Sequence, residues 1–292
     1  MLYLIGSIIF SSWLTISFKI IARLKINTLQ AIVFNYITCV VTGIIFSKTP
    51  ITGSVIFGQR WLPWAILMGA IFISLFHVIA FTAQSLGVAI ASVANKLSLV
   101  IPFIFSIYLY NEYSSSWQVA GIVVALAAVI LTCYPKPDLQ NRSGPVKYSI
   151  FFLPILLFLG SGVLDTMIKF VEQTYLDDAN QNNYLVTAFG AAAGTGIILL
   201  LIQYVQGEIP FRVRSILAGI CIGVPNYFSI WCLLNALKQY PGNSLIVIPV
   251  NNMGSVLFSS LVAAIFFNQQ LSSLNRIGII LALAAIGMIA FG

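Results

Sequence analysis

Apolar residues in the 292-residue chain form long, nearly uninterrupted runs, and polar residues gather in short segments between them. The runs approach the 20 residues that an α-helix needs to cross a bilayer, and they lack the strict alternation of barrel strands. The pattern predicts an all-α integral membrane protein with ten transmembrane helices. The predicted spans are 2–22, 28–47, 61–84, 88–110, 116–134, 148–171, 183–205, 213–237, 243–267 and 273–291.

The segment from Ser85 to Leu131 aligns without a gap with the segment from Gly242 to Met288, 157 positions later, and the two share a pattern of residues. The matched polar and glycine positions include Asn95 with Asn252, Ser98 with Ser255, Asn111 with Asn268, Ser115 with Ser272 and Gly121 with Gly278. Apolar coincidences are expected in so apolar a chain, but matched Asn, Ser and Gly residues are not. The sequence therefore predicts two halves derived from one ancestral unit.

The connector 135–147 is rich in Pro, Asn and Gly, and it separates span five from span six. We therefore predict one repeat in 1–134, a linker in 135–147 and a second repeat in 148–292. Because each repeat has an odd number of spans, the two insert with opposite orientation. This is a 5+5 inverted-topology repeat around a central cavity, the architecture of many secondary transporters.

Composition narrows the class further. Sixty per cent of the residues are hydrophobic and 7% are charged, which is too little polar surface for a soluble domain of this length. The net charge of +7 comes from basic residues spread over loops, so no nucleic-acid partner is expected. The four cysteines fall in predicted spans without metal-type spacing, so we expect no disulfide and no metal site. The first span lacks a basic n-region and is expected to be a retained helix.

Several polar positions resemble the signature of the EamA-type transporters of the drug/metabolite transporter superfamily. They are Pro102, Glu112, the run 114–116, Gln118 and Gly121, with Gln269, Ser272, Asn275 and Gly278 as a weaker copy in the second half. The resemblance covers the whole chain. It implies a ten-helix bundle with a central cavity that carries a small metabolite, such as an amino acid or organic acid, across a bacterial inner membrane.

Orientation is left open by two conflicting signals. Eight basic residues lie in the loops on one side of the predicted membrane and three lie on the other, so the positive-inside rule predicts termini outside the cytoplasm. The family resemblance implies cytoplasmic termini.

The first group of candidate site residues lies near the predicted midplane. Asn95 and Lys96 lie about 11 to 12 Å into span four, and Asn252 lies about 13 Å into span nine, within a hydrocarbon core of about 30 Å. Asn251 shares the polar face of Asn252. The amides are candidates for substrate binding or for hydrogen bonds between helices. Lys96 is too deep to reach the interface easily, so we predict a substrate-binding role for it, with coupling as the alternative.

A second group contains charged residues of the first and sixth spans. Asp165 is the only acid well inside a span, and it lies one helical turn from Lys169. Asp165 is therefore the candidate for proton coupling, and a structural ion pair with Lys169 is the alternative. Lys19 matches Lys169 at an offset of 150 and is expected either to reach the interface or to take part in coupling.

His77 in span three and the stripe Tyr227, Trp231 and Asn235 in span eight complete the substrate-binding candidates. Pro225 is expected to break span eight and free backbone carbonyls for a ligand. Packing is the alternative for the histidine and for the aromatic stripe.

The chain contains no nucleophile–base pair, phosphate loop or ATP motif, so we expect neither an enzyme nor a cofactor. The expected function is a secondary transporter, and specifically an exporter, of a small polar metabolite. Lys96 favours an anionic or zwitterionic substrate. A membrane-embedded enzyme, a lipid-handling protein and a multidrug cation exporter are the alternatives, and proton coupling and a monomeric or dimeric state stay open.

Overall fold

A computed structural model of the protein describes residues 2–47, 56–110, 115–132, 146–176, 180–207, 212–239, 244–267 and 272–291. Regular structure in these ranges is helical, with no strand. The helices are α1 (Leu2–Arg23), α2 (Thr28–Ile45), α3 (Leu62–Ser85), α4 (Val88–Leu97), α5 (Val100–Tyr110), α6 (Ser116–Thr132), α7 (Val146–Tyr175), α8 (Gln181–Val205), α9 (Val213–Gln239), α10 (Ser244–Phe267) and α11 (Ser273–Phe291).

These helices fill the ten predicted segments, and their ends agree with the predicted ends to within about four residues. Span four differs, because it consists of two helices, α4 and α5. The predicted linker lies mostly outside the described residues, and its last two positions already belong to α7.

Seven helical stretches in the described ranges are long and apolar enough to cross a membrane. They are Leu2–Arg23, Thr28–Ile45, Leu62–Ser85, Val88–Phe105, Gln181–Val205, Val213–Ala236 and Val247–Phe267. Shorter apolar helices occur at Ser116–Thr132, Phe152–Ile168 and Ser273–Ile289. Many large apolar side chains on these helices are exposed, as expected when the surrounding solvent is lipid. The prediction of an all-α membrane protein is confirmed at this level.

The chain forms two compact units. The first unit contains residues 1–19, 78–163 and 228–292, and the second unit contains residues 20–77 and 164–227. The divisions fall inside α1, α3, α7 and α9. Neither unit is one of the predicted sequence halves, so the division into repeats stays a prediction.

In the first unit, α6 and α11 begin with the same local structure. At the start of α6, the Gln118 N–H donates to Ser115 Oγ at 3.2 Å, and the Ser115 N–H donates to Gln118 Oε1 at 3.0 Å. At the start of α11, Asn275 and Ser272 exchange the same two hydrogen bonds at 3.1 and 3.2 Å. Each pair is a capping box that satisfies backbone N–H groups left free at a helix N-terminus.

Each cap also contacts the last turn of the other helix. Gln118 Nε2 donates to the Ile289 carbonyl at 3.4 Å, and Asn275 Nδ2 donates to the Thr132 carbonyl at 2.7 Å. Since Ile289 lies 157 positions after Thr132, the two contacts have matching sequence positions. The start of each helix therefore lies beside the end of the other, and α6 and α11 are antiparallel.

Small residues bring α6 and α11 close together. A Cβ atom on Gly121 would lie 3.0 Å from Ile289 Cγ1, and a Cβ atom on Gly278 would overlap the Thr132 backbone. The helix faces also carry fully buried alanines, Ala125, Ala128, Ala282 and Ala285. Close backbone approach at small residues is the usual basis of helix packing in membranes.

In the second unit, α2 packs against α8. Tyr36 of α2 lies between aromatic rings of α3 and α8, with ring centroids 5.1 Å from Phe76 and 6.1 Å from Phe189. Nearby, the Trp61 and Tyr184 rings meet edge to face at 5.7 Å. Rings in these geometries stabilise the unit beyond the area that they bury.

Candidate functional site

The helical segment of span four is interrupted at Ser98 and Leu99, between α4 and α5. Pro102 explains the position of this break. Proline has no backbone N–H, and its ring collides with the carbonyl four residues earlier, which here belongs to Ser98. The Ile101 N–H instead bonds the Ser98 carbonyl at 2.9 Å, which is a tighter turn than the α-helix.

Neutral side chains bind the backbone around this break. Ser98 Oγ donates to the Asn95 carbonyl, and Asn252 Nδ2 of α10 donates to the Lys96 carbonyl through a long contact of 3.5 Å. Ser161 Oγ of α7 donates to Asn95 Oδ1 at 2.8 Å. The structure therefore brings Asn95, Lys96 and Asn252 together, and it adds Ser161 to them.

Lys96 occupies the last turn of α4 and is half-buried. The C-terminus of a helix carries partial negative charge, which favours a cation in this position. Lys96 is not free, because it takes part in an interaction within the protein. Among the acidic residues, only Asp165 has a described side chain, and it belongs to the second unit. The described side chains of the first unit therefore include cations and no carboxylate.

Buried polar atoms continue along α10 beside the break. Asn251 is 3% exposed, and its Oδ1 has no hydrogen-bond partner among the described residues. Ser12 Oγ of α1 donates to the Ser255 carbonyl at 3.2 Å, and the Ser255 hydroxyl also lacks a described partner. Buried polar atoms normally find partners, so open hydrogen-bonding capacity here is consistent with a ligand site.

Lys19 makes a contact that is structural in character. Its Nζ donates to the Gln84 carbonyl at 2.7 Å, and Gln84 Nε2 returns a bond to the Phe18 carbonyl at 3.3 Å. Gln84 lies in the last turn of α3, where carbonyls lack helical partners and a cation is favoured. Lys19 thus ties α1 to the end of α3, and a coupling role for it stays a prediction.

Asp165 in the second unit is half-buried and has an interaction within the protein. The side chain of Lys169 lies outside the described residues, as do Glu112, Gln269 and Cys133. The predicted Asp165–Lys169 pair therefore stays a prediction.

The expected break at Pro225 is wrong. Helix α9 runs through Pro225 without interruption, because a proline removes one hydrogen bond and need not end a helix. Two residues of the stripe that follows, Trp231 and Asn235, belong to the first unit. Trp231 packs edge to face on Tyr3 at 5.5 Å, and Asn235 Nδ2 donates to the Trp231 carbonyl at 2.8 Å. Tyr227 belongs to the second unit, where its hydroxyl donates to Asn182 Oδ1 at 3.4 Å.

The second unit contains a buried amide pair that sequence reasoning missed. Asn226 Nδ2 of α9 donates to Asn35 Oδ1 of α2 at 3.1 Å, and Cys39 Sγ approaches the Gly223 carbonyl at 3.4 Å. Asn35 is fully buried. Its partner lies 191 positions away, so no local pattern could have revealed the pair. We assign it to the packing of α2 against α9.

His77, also in the second unit, lines a cavity of about 450 Å³. Its Nδ1 lies 2.8 Å from the Ile73 carbonyl in the preceding turn, so the ring is held by its own helix.

Comparison with solved structures shows that the fold of this chain occurs in another protein. A solved structure, described only as the crystal structure of a protein, matches with a TM-score of 0.64 over 98% of this chain and 94% of that chain, at 13% identity. The chain has that fold. A Haemophilus influenzae protein described as uncharacterized is 27% identical over 287 residues, which cover 97% of this chain and 95% of the relative. No family model matches.

The break of span four combines groups that can bind a polar molecule. The Asn252 and Ser161 side chains offer neutral hydrogen bonds, Asn251 offers an open acceptor, and Lys96 offers a positive charge. In the hydrocarbon region, irregular backbone and buried charge persist only where protein or a water-filled cavity surrounds them. We therefore regard this cluster as the candidate functional site.

Proposed function

We propose that the protein is a secondary transporter that exports a small polar metabolite, with an anionic or zwitterionic substrate such as an amino acid or organic acid. The observation that carries the proposal is the interrupted helix with Lys96, Asn95 and Asn252 at its break. Discontinuous helices near the membrane midplane form the substrate and ion sites of many secondary transporters. A bacterial inner membrane is the proposed location, which agrees with the bacterial source of the Haemophilus relative.

We further propose ten membrane crossings arranged as an EamA-like 5+5 inverted repeat. The matched caps of α6 and α11 support it, because each cap contacts the end of the other helix at positions 157 apart. Such an exchange is expected of a two-fold relationship between two halves of opposite orientation. The three shorter apolar helices supply the crossings beyond the seven long ones.

In the proposed mechanism, a substrate carboxylate binds near Lys96 and joins or replaces its present interaction. Asn95 and Asn252, one from each half, hold the rest of the ligand through neutral hydrogen bonds. The two halves then rock about this site and open it to each side of the membrane in turn. Asp165 is the proposed proton-binding group if transport is driven by a proton gradient.

The test is transport by the purified protein in sealed proteoliposomes, with a panel of organic acids, amino acids, neutral metabolites and organic cations. Lys96→Gln should lose selectivity for anionic over neutral substrates, and Lys96→Arg should retain part of it because the charge remains. Asn111→Gln, a polar change near the end of span four, serves as the control. Movement of no metabolite under any ion gradient would refute transport, and tight binding of organic cations would refute the anion site.

A further inference from the structure

The second unit contains a cavity that shares no residue with the break of span four. Its volume is about 450 Å³, within the range of small-molecule sites. It is lined by Leu29, Ile73, Ser74, His77, Leu199, Ile202, Gln203 and Gln206, from α2, α3 and α8 and the residue after α8. Four of these side chains are apolar and four are polar, and none of them carries a permanent charge.

The cavity lies near an end of α2 and of α8, but on α3 it is lined by mid-helix residues, Ile73, Ser74 and His77. On α8 it extends from Leu199 to Gln206, over the last two turns or about 10 Å, and on α2 it touches the first turn at Leu29. Leu199 and Ile202 belong to the exposed apolar face of α8, together with Ile198. In a bilayer, that face contacts lipid, so the cavity is open to the hydrocarbon region.

The polar groups in the cavity include three hydrogen-bond acceptors, and the Gln203 and Gln206 amides also carry N–H donors. Ser74 Oγ donates its proton to the Ala70 carbonyl at 2.9 Å, which leaves its lone pairs available. His77 Nδ1 lies 2.8 Å from the Ile73 carbonyl, and in the tautomer that donates through Nδ1 the other ring nitrogen, Nε2, is an acceptor. Gln203 Oε1 is buried and has no hydrogen-bond partner among the described residues. Rotation of the terminal amide, which is soft, turns this oxygen toward the cavity.

These groups select against charged ligands. No described lining residue is acidic, as an ammonium group would require, and none is Lys or Arg, as a phosphate or carboxylate would require. A hydroxyl group can donate to one of the three acceptors and accept from a glutamine amide, and an alkyl chain suits the lining leucine and isoleucine side chains. We propose that this cavity is a binding site for a neutral amphiphile with a hydroxyl head group, taken from the bilayer.

The test uses the full-length protein, purified and stripped of lipid in detergent, with a monoacylglycerol that carries a photoactivatable diazirine in its chain. Illumination followed by peptide mass spectrometry should find the label on α3 and α8, at residues that line the cavity. Unlabelled monoacylglycerol should compete about fivefold better than the same lipid with methylated hydroxyls, the change expected from one hydrogen bond. This comparison needs no variant.

Variants then assign the acceptors. Gln203→Leu should reduce labelling about fivefold, and His77→Phe should do the same, since each removes one hydrogen bond. Tyr204→Leu changes an exposed polar side chain at the same depth outside the cavity and should leave labelling unchanged. Equal melting temperatures show that the variants are folded. Labelling only elsewhere, or equal competition by the methylated lipid, would overturn the proposal.

Discussion

Asn275 is the residue whose removal the structure predicts to be most costly at the α6–α11 contact. It is fully buried, it completes the capping box with Ser272, and it donates to the Thr132 carbonyl at 2.7 Å. Replacing it with Ala removes Oδ1, the capping-box acceptor for the Ser272 N–H, which costs about 1 kcal/mol. It also leaves a buried carbonyl without its donor, which costs about 2 kcal/mol. Asn275→Ala should therefore lower the free energy of unfolding by about 3 kcal/mol.

Reversible unfolding in mixed micelles of mild detergent and dodecyl sulfate, followed by circular dichroism, measures this change. Ser272→Ala is the matched control, because it removes the local cap and keeps the bond to Thr132, so it should cost about 1 kcal/mol. Gln118→Ala should lie between the two, since its bond to Ile289 is longer, at 3.4 Å. Equal losses for Asn275→Ala and Ser272→Ala would show that the bond between helices contributes nothing.

Three further predictions concern other positions. Gly278→Ala should destabilise the protein by about 2 kcal/mol in the same assay, because the added Cβ would overlap the Thr132 backbone. Gly194→Ala, whose added Cβ meets open space, should be neutral or stabilising. Pro102→Ala should join α4 to α5 and slow transport about tenfold, which corresponds to about 1.4 kcal/mol. Hydrogen-exchange protection of the amides between 98 and 102 that equals that of the parent protein would contradict this. Asp165→Asn should abolish the pH dependence of transport in proteoliposomes while Asp165→Glu retains it, and an unchanged pH profile in Asp165→Asn would end the coupling role.

The helices were predictable because long apolar runs have few other structures available in a bilayer. Prolines show where that reasoning stops. Pro102 accompanies a break and Pro225 does not, although both lie inside apolar runs. At Pro102 the carbonyls of Asn95 and Lys96 have side-chain partners in Ser98 and Asn252, which lower the cost of leaving the helix. Such partners depend on tertiary contacts. Reasoning from proline positions alone therefore predicted a break at Pro225 that is absent and missed the break at Pro102.

The candidate site was predictable in part, through the repeat and through depth. Matched Asn residues at equal depth in two spans indicated that Asn95, Lys96 and Asn252 would meet, and they do. The contact of Ser161 with Asn95 was beyond prediction, because helix rotation within a bundle is set by packing. Several residues of the family signature have structural roles. Gln118 and Asn275 form helix caps, and Gly121 and Gly278 form close contacts between α6 and α11.

The exchange of caps between α6 and α11 has a consequence for ancestry. Because each helix start holds the other helix end, the contact is isologous: one patch is complementary to itself. Under the proposed 5+5 repeat, a five-helix chain carrying one copy of the motif would form both hydrogen bonds with a second copy of itself in the opposite orientation. Duplication of such a gene would preserve the interface without inventing a new one. After the duplication, a substitution in one copy of the motif would have to remain compatible with the end of the other helix that it contacts.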